Sequence, residues 1–443
     1  MCLHDHDAGA VAPPAAVTRR NALAGAAVLA GVSAAGVAAV APSVAASGLR
    51  SGADSRRRRP VPGPLVVEGG TLLDPLTGKV VEDAVVVLAN GSVLAAGTRD
   101  ATRGAVAAVR SRAQRIDAAG SWVLPGLVDS HVHVNALADA AAVLHAGATT
   151  ARSGSSTFYQ DVAMRPLAEW APGSVPRMRA AGVFVTPELG DTVLADPALA
   201  PLAALPDGVQ SPSDLRYLTR VNVSRGVDVV KTRANPRAGI AEQDPTELVY
   251  DQEQIAAVVS AAGRAGVLCH AYSEAGIDGA VRAGVQSIEH GVFVGEATIA
   301  RMARKGTYFT PTMAAITGMA SSSDPILAER GRQYTPVLQA AVREAHARGV
   351  TVVAGTDSFG TDVDPIGSEV RLLIEAGLPH LDAIRAATTH AARLLRWSDR
   401  VGRLVRGFAA DLVVVDTNPL EDAAALEKIK VIVAQGAVVR QEP

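Results

Sequence analysis

Cysteine is nearly missing from this chain. Among 443 residues there are only Cys2 and Cys269. Cys2 is expected to leave with a cleaved leader, so the mature protein has no intramolecular disulfide to close. Aromatic residues make up 3%, too few for the stacking platforms on which single-stranded nucleic acids lie. Neither sign of charge dominates. The 42 Lys and Arg against 44 Asp and Glu leave a formal charge of −2, which argues against a nucleic-acid surface. Glycine and alanine are plentiful, and the length exceeds one small domain and permits a large buried core.

The first 46 residues read as a leader. Arg19-Arg20 precede an Ala/Gly/Val run to about Val40, and Ser43-Val44-Ala45 closes it with small residues at signal-peptidase spacing. That is the pattern of a twin-arginine export signal ending at Ala45 or Ala46, a route that carries folded proteins. A retained membrane anchor is the weaker reading. Alanine and glycine are only weakly apolar and Pro42 interrupts the run, so no stable membrane insertion is expected after cleavage. Residues 47–63, with four adjacent arginines at 56–59, read as a solvated linker.

Residues 64–120 alternate short apolar runs with turns at Asp74-Pro75, Thr77-Gly78 and Asn90-Gly91, the last a strong hairpin signal. Residues 399–443 repeat that texture. Both ends are expected to form one small β-sandwich closing one side of a larger domain. Between them, over 121–398, eight strand candidates alternate with helical or irregular stretches: 123–133, 148–154, 177–185, 228–234, 267–272, 285–291, 307–312 and 351–358. Helical patterns cover 251–265, 274–283, 296–305 and 336–348. The expected fold class is therefore α/β, a (β/α)8 barrel with its chemistry at the carboxyl ends of the strands. Residues 186–213 form a long insertion after the third strand, a candidate lid.

The strand ends carry the chemistry. His131 and His133, two apart, share one face of a strand and can chelate a divalent ion. The fourth candidate strand carries Lys231, the fifth ends in His270 and then Tyr272, the sixth in His290 and the eighth in Asp357. Each has a bland alternative: half-exposed or structural histidines, a snorkelling lysine, an aspartate capping a helix. Five strand ends converging on one face favour a metal centre over coincidence. His145, His346, His380 and His390 fall away from strand ends and read as structural.

The words Leu124-Pro-Gly-Leu-Val-Asp-Ser-His-Val-His133, Ile288-Glu-His-Gly291, Gly355-Thr-Asp357 and Thr388-Thr-His-Ala-Ala-Arg393, with the closing Gly407-Phe-Ala-Ala-Asp-Leu-Val-Val-Val415, resemble the amidohydrolase superfamily. The likeness is strongest to its imidazolonepropionase-like and prolidase-like members and covers roughly 65–439. The resemblance implies two divalent ions, zinc by default with manganese or iron as alternatives. His131, His133 and Asp357 would hold one, and His270 and His290 the other. Lys231 would be carboxylated by CO₂ to a bridging carbamate, because a free ammonium beside two dications is repelled. Asp357 would act as general base and then acid toward a metal-activated water. Tyr272 is a candidate oxyanion donor, Arg152 and Arg233 are candidates for a substrate carboxylate, and Thr312 is a candidate pocket residue. Glu289 is expected to face away from His290 as a packing or supporting residue.

The expectation is an exported amidohydrolase acting on a small amide or short peptide, such as a dipeptide or N-acyl amino acid. A homo-oligomer is compatible with it. Two alternatives stand beside it. One is a mononuclear deaminase or cyclic-amide hydrolase with Glu274, four residues after His270, as proton carrier. The other is a catalytically silent binding protein.

Overall fold

The computed structural model describes residues 59–442. The expected export leader and residues 47–58 of the linker lie outside the described residues.

The chain opens with β1 (Leu65–Asp74), β2 (Lys79–Ala89) and β3 (Ser92–Gly97), an antiparallel meander. Asn90 and Gly91 turn the second hairpin with φ of 54° and 71°, the left-handed pair that a two-residue loop requires. A helix, Arg99–Val109, follows from its Thr98 cap, then β4 (Gln114–Asp117) and β5 (Trp122–Pro125). The parallel strands come next: β6 (Leu127–His133), β7 (Ala148–Ser153), β8 (Arg177–Arg179), β9 (Val230–Arg233), β10 (Val267–Ala271), β11 (Ser287–His290), β12 (Tyr308–Thr310) and β13 (Ser358–Phe359). The chain closes with β14 (Leu412–Val415), β15 (Ile429–Ala434) and β16 (Ala437–Gln441).

Both ends of the chain meet in one eight-stranded sheet of order β16-β15-β14-β5-β1-β2-β3, with β4 beside β1. The expected sandwich is thus a single continuous sheet, because β14 pairs directly with β5 (Val414 opposite Val123) and bridges the two halves. Alternation along the strands sends Leu65, Val67, Val86, Leu88, Val123, Leu412, Val414 and Val433 into one core. Val66, Val85 and Val87 pack with Val109 of the helix in another, as a period of two dictates.

The run 123–133, read as one strand, is two. It breaks at Gly126, where a Cβ would sit 2.1 Å from Thr149 Oγ1; the chain there crosses from the end sheet into the parallel strands. Those strands form two four-membered sheets, β12-β11-β10-β9 and β13-β6-β7-β8. Isolated parallel bridges connect Val185 to Thr232 and Phe309 to Val352. The third candidate strand keeps regular pairing only over Arg177–Arg179, and the eighth only over Ser358–Phe359. The extended stretch before β13 is nonetheless held on both sides, by Val353 N donating to Phe309 O at 2.9 Å and Ser130 N donating to Ala354 O at 2.9 Å. Strands β6, β7 and β9–β11 are buried along nearly their whole length, which is why they read as apolar runs without alternation.

The helix expected over 336–348 begins earlier, as Pro325–Ala347. Its start is Asp324, whose carboxylate accepts from Ile326 N and Leu327 N, with Pro325 in the first turn; Pro336 sits inside the helix. The insertion at 186–213 winds into two 3₁₀ segments, Gly190–Ala195 and Pro197–Ala204. Hydrogen bonds from Tyr217 OH to Ala198 O and Tyr250 OH to Val209 O, both 2.7 Å, tie it down. Among the described residues no helix is long and apolar enough to cross a membrane.

Candidate metal centre

The ends of β6, β9, β10, β11 and the segment leading into β13 place their polar residues together. His131 and His133 leave β6 with ring centroids 5.5 Å apart. Asp357 presents Oδ1 at 3.3 Å from Nε2 of both histidines. One ligand atom from each of the three lies within 4.8 Å of the others. Asp357 reaches that position from a left-handed backbone (φ 58°), with its N–H on His131 O at 2.7 Å. Lys231, fully buried, brings Nζ to 3.1 Å from His131 Nε2. The His290 ring lies 5.6 Å from that of His131 and 4.5 Å from that of His270. The structure thus gathers His131, His133 and Asp357 into one ligand group, with Lys231 and the His290 ring against His131 and the His270 ring beside His290. Gly154 keeps that group open: a Cβ there would meet His131 Nε2 at 2.7 Å.

The outer nitrogens set which ring atom carries a lone pair. A carbonyl or carboxylate oxygen only accepts, so the ring nitrogen facing it is the protonated one. His131 Nδ1 donates to Glu289 Oε2 at 2.6 Å and His270 Nε2 to Pro236 O at 3.0 Å. His133 Nδ1 faces Ser155 O at 3.3 Å. The Thr312 hydroxyl lies 2.8 Å from both Pro311 O and His290 Nδ1, and with its hydrogen assigned to the carbonyl it accepts from Nδ1. With those protons placed, His131 Nε2, His133 Nε2, His270 Nδ1 and His290 Nε2 are the ring nitrogens that can act as acceptors or ligands. Asp357 Oδ1 at 3.3 Å from both Nε2 atoms places two imidazoles and a carboxylate where one cation can meet all three. The donor set of imidazole and carboxylate fits a divalent transition metal.

Beneath the histidines lies a buried ionic network. The Arg152 guanidinium donates to Ser130 O at 2.6 Å, Ser287 Oγ at 2.9 Å and both Glu289 oxygens at 2.9 and 3.0 Å. Burial alone would raise the Glu289 carboxyl, but the Arg152 guanidinium and the hydrogen bond from His131 overcome it and hold the group well below the usual range. Alternation turns Glu289 away from His290 and under His131. Arg152, expected to bind a substrate carboxylate, is instead committed to this network, 2% exposed; that assignment is corrected. Asp129 ties β6 to the segment carrying Asp357 by accepting from His131 N, Thr356 N and Thr356 Oγ1. Burial pushes its carboxyl up to about 6 against those bonds.

Of the weaker candidates, Tyr272 stacks on His290, centroids 5.0 Å apart and planes within 6°. Arg233 lies over the Phe184 ring at 4.6 Å, beside Lys231 at 5.7 Å. Thr312, expected to line the pocket, backs His290. Glu274 accepts from Gly295 N at 2.5 Å and Thr298 Oγ1 at 2.8 Å, at the start of helix Glu296–Lys305. Those bonds engage both carboxylate oxygens of Glu274, the proton carrier of the deaminase alternative. Sequence reasoning missed Asn235, whose Oδ1 accepts from Tyr272 N and Ser273 N and ties the end of β10 to β9. It also missed Glu369, whose carboxylate accepts from Met313 N and Ala314 N.

Glu369 yields a pH prediction. Burial pushes its carboxyl up to about 8, against the two amide bonds. Between the unfolded carboxylate's pKa and about 8, the folded protein holds a proton that the unfolded chain has released. Stability therefore declines as pH rises through that window, by up to about 1.4 kcal/mol per pH unit. Urea unfolding of metal-free protein from pH 5.5 to 8.5 should show the decline, and Glu369→Gln should flatten it. An equal slope in both proteins would rule Glu369 out as its source.

Residues 122–439 match the amidohydrolase family. Ochratoxinase from Aspergillus niger is 28% identical over 234 residues, 51% of this chain and 48% of that protein, so the chain spans about half the length of the curated relatives it matches. A solved Xaa-Pro dipeptidase with methionine bound in its active site superposes with a TM-score of 0.71 at 25% identity, covering 85% of this chain and 99% of that one. A prolidase complexed with N-methylphosphonate-L-proline gives 0.70 at 25% identity, covering 86% and 100%.

Proposed function

The chain belongs to the amidohydrolase family, and from that premise we propose that it is an exported, metal-dependent hydrolase of carbon–nitrogen bonds. Its substrates are dipeptides or N-acyl amino acids. In this reading the two parallel sheets are halves of one (β/α)8 barrel with the centre at its carboxyl end, and the twin-arginine leader exports the protein already folded. The observation that carries the proposal is the convergence of one ligand atom each from His131, His133 and Asp357 within 4.8 Å of one another, a donor set of two imidazoles and a carboxylate that suits a divalent transition metal. The likeness to a prolidase and a Xaa-Pro dipeptidase supports the substrate class.

His131, His133 and Asp357 would hold one ion and His270 and His290 a second, with Lys231 between them as a carbamate. The carbamate forms when the Lys231 amine adds to CO₂ and releases a proton. A bound divalent ion supplies a Lewis acid for the scissile carbonyl and makes a water acidic enough to attack near neutral pH. Asp357 takes the proton of the attacking water on its carboxylate and returns it to the leaving nitrogen. Tyr272, held flat on His290, offers its hydroxyl to the oxygen that gains charge. Arg233, packed on Phe184, receives the free carboxylate of the substrate. Arg152 and Glu289 fix the His131 ring, and Thr312 fixes that of His290.

The test is elemental analysis of the mature chain, from about Ala46 on, expressed with bicarbonate. About two metals per chain, falling in Lys231→Ala, together with hydrolysis of dipeptides or N-acyl amino acids, is expected. About one metal, indifferent to that substitution, would overturn the bridged mechanism.

A further inference from the structure

We infer that Glu369, in helix Ile366–Glu375, is a positioning residue for His290, acting through the backbone of 312–314 and the Thr312 hydroxyl. The inference rests on the reading of His290 as a metal ligand and assigns what holds that ligand in its working tautomer.

Thr312 is β-branched yet has φ of 51°, in the left-handed region where such residues are rare. A backbone in that state persists only when its surroundings impose it. Thr312 stands directly before helix Met313–Gly318 and makes no side-chain cap to it. The first amides of that helix are satisfied from elsewhere: Met313 N donates to Glu369 Oε1 at 3.0 Å and Ala314 N to Oε2 at 2.8 Å. Both carboxylate oxygens are used, and the residue is fully buried. The two amides immediately after Thr312 are thus pinned by one side chain from another helix.

The consequence falls on His290. With its single hydrogen assigned to Pro311 O at 2.8 Å, Thr312 Oγ1 meets His290 Nδ1 as an acceptor, also at 2.8 Å. That bond keeps the proton on Nδ1 and the lone pair on Nε2. His290 also has a left-handed backbone, φ 71°; its ring stacks on Tyr272, meets the His270 ring at 4.5 Å and has the Thr312 hydroxyl at Nδ1. Once 313–314 relax, Thr312 leaves its strained conformation and carries the hydroxyl away. His131 has a carboxylate at its outer nitrogen and needs no such help, so the effect is confined to one of the two ion sites.

The experiment compares wild type, Glu369→Gln and Thr312→Val. Glutamine has the shape of glutamate but only one acceptor, so one amide loses its partner. In ¹⁵N-histidine-labelled metal-free protein, the Nδ1–H signal of His290, identified by its absence in His290→Gln, is expected to vanish or broaden in both variants. Zinc titration against a chromophoric chelator is expected to show one affinity weakened about 10–100-fold in both, the range found when the support of a ligand is removed, and the other unchanged. A purely structural Glu369 would lower the melting temperature while leaving the His290 signal and both affinities as in wild type, and that result overturns the inference. Should wild type bind only one zinc, the two-ion reading fails, while the His290 signal still decides the role of Glu369. Should Glu369→Gln not fold, Glu369→Asp, which keeps the carboxyl on a shorter arm, takes its place with the same expected loss.

Discussion

Asp357→Asn is expected to lower turnover of the amide substrate by about 10³-fold while leaving the fold intact. The size follows from the general acid–base role, which contributes roughly 10²- to 10⁴-fold. The fold should survive because the substitution is isosteric and Asn is among the few residues that tolerate the left-handed backbone seen here, φ 58°. The backbone N–H bond to His131 O at 2.7 Å is likewise unaffected. What changes is the atom facing the histidines: an amide oxygen in place of a carboxylate oxygen 3.3 Å from Nε2 of both. It ligates a cation more weakly, and an amide cannot carry the proton from water to leaving group. Metal content, melting temperature and turnover measured on one preparation separate these effects. Turnover within about tenfold of wild type, with metal retained, would remove Asp357 from the proton path.

The candidate ligands were legible in the sequence because each falls at, or within three residues after, the end of a short apolar stretch. A strand buried on both faces writes its position as a block of Val, Ile, Leu and Ala, and the residue that breaks the block marks the carboxyl end. His131, Lys231, His270, His290 and Asp357 could all be placed that way. What supports them could not. Arg152 and Glu289 are 137 residues apart, and Glu369 and Met313 are 56 apart; nothing local to either partner announces the other. Arg152 looked like a free cation near a strand end, and only the fold reveals the carboxylate opposite it. Boundaries failed where one residue carried two meanings. Pro336 reads as the first turn of a helix, yet the true start is Asp324-Pro325, with the same chemistry 11 residues earlier. Gly126 reads as part of a strand but is the point where the chain changes sheets, because only glycine clears Thr149.

Arg152→Met is expected to destabilise the metal-free protein by about 3–5 kcal/mol, the usual cost of removing one partner of a buried ion pair. Methionine fills much the same space, so the loss is chiefly electrostatic. Glu289 is left with Ser287 and His131, without the guanidinium that donates to both its oxygens at 2.9 and 3.0 Å. The pH dependence should change sign with the substitution. In wild type the Glu289 carboxyl lies below the usual range, so its contribution is present at neutral pH and is lost only as pH falls through the acid range. Without Arg152, burial dominates and drives that carboxyl above its unfolded value. The folded variant then takes up a proton that the unfolded chain does not hold, and it regains stability as pH is lowered from 8 toward 5. Urea midpoints at both pH values measure this directly, and Glu289→Gln added to Arg152→Met should recover most of the loss, because the carboxylate that lost its guanidinium is then gone. If Arg152→Met instead unfolded at the wild-type urea concentration and raised only KM, the guanidinium would belong to the substrate and not to the support of His131.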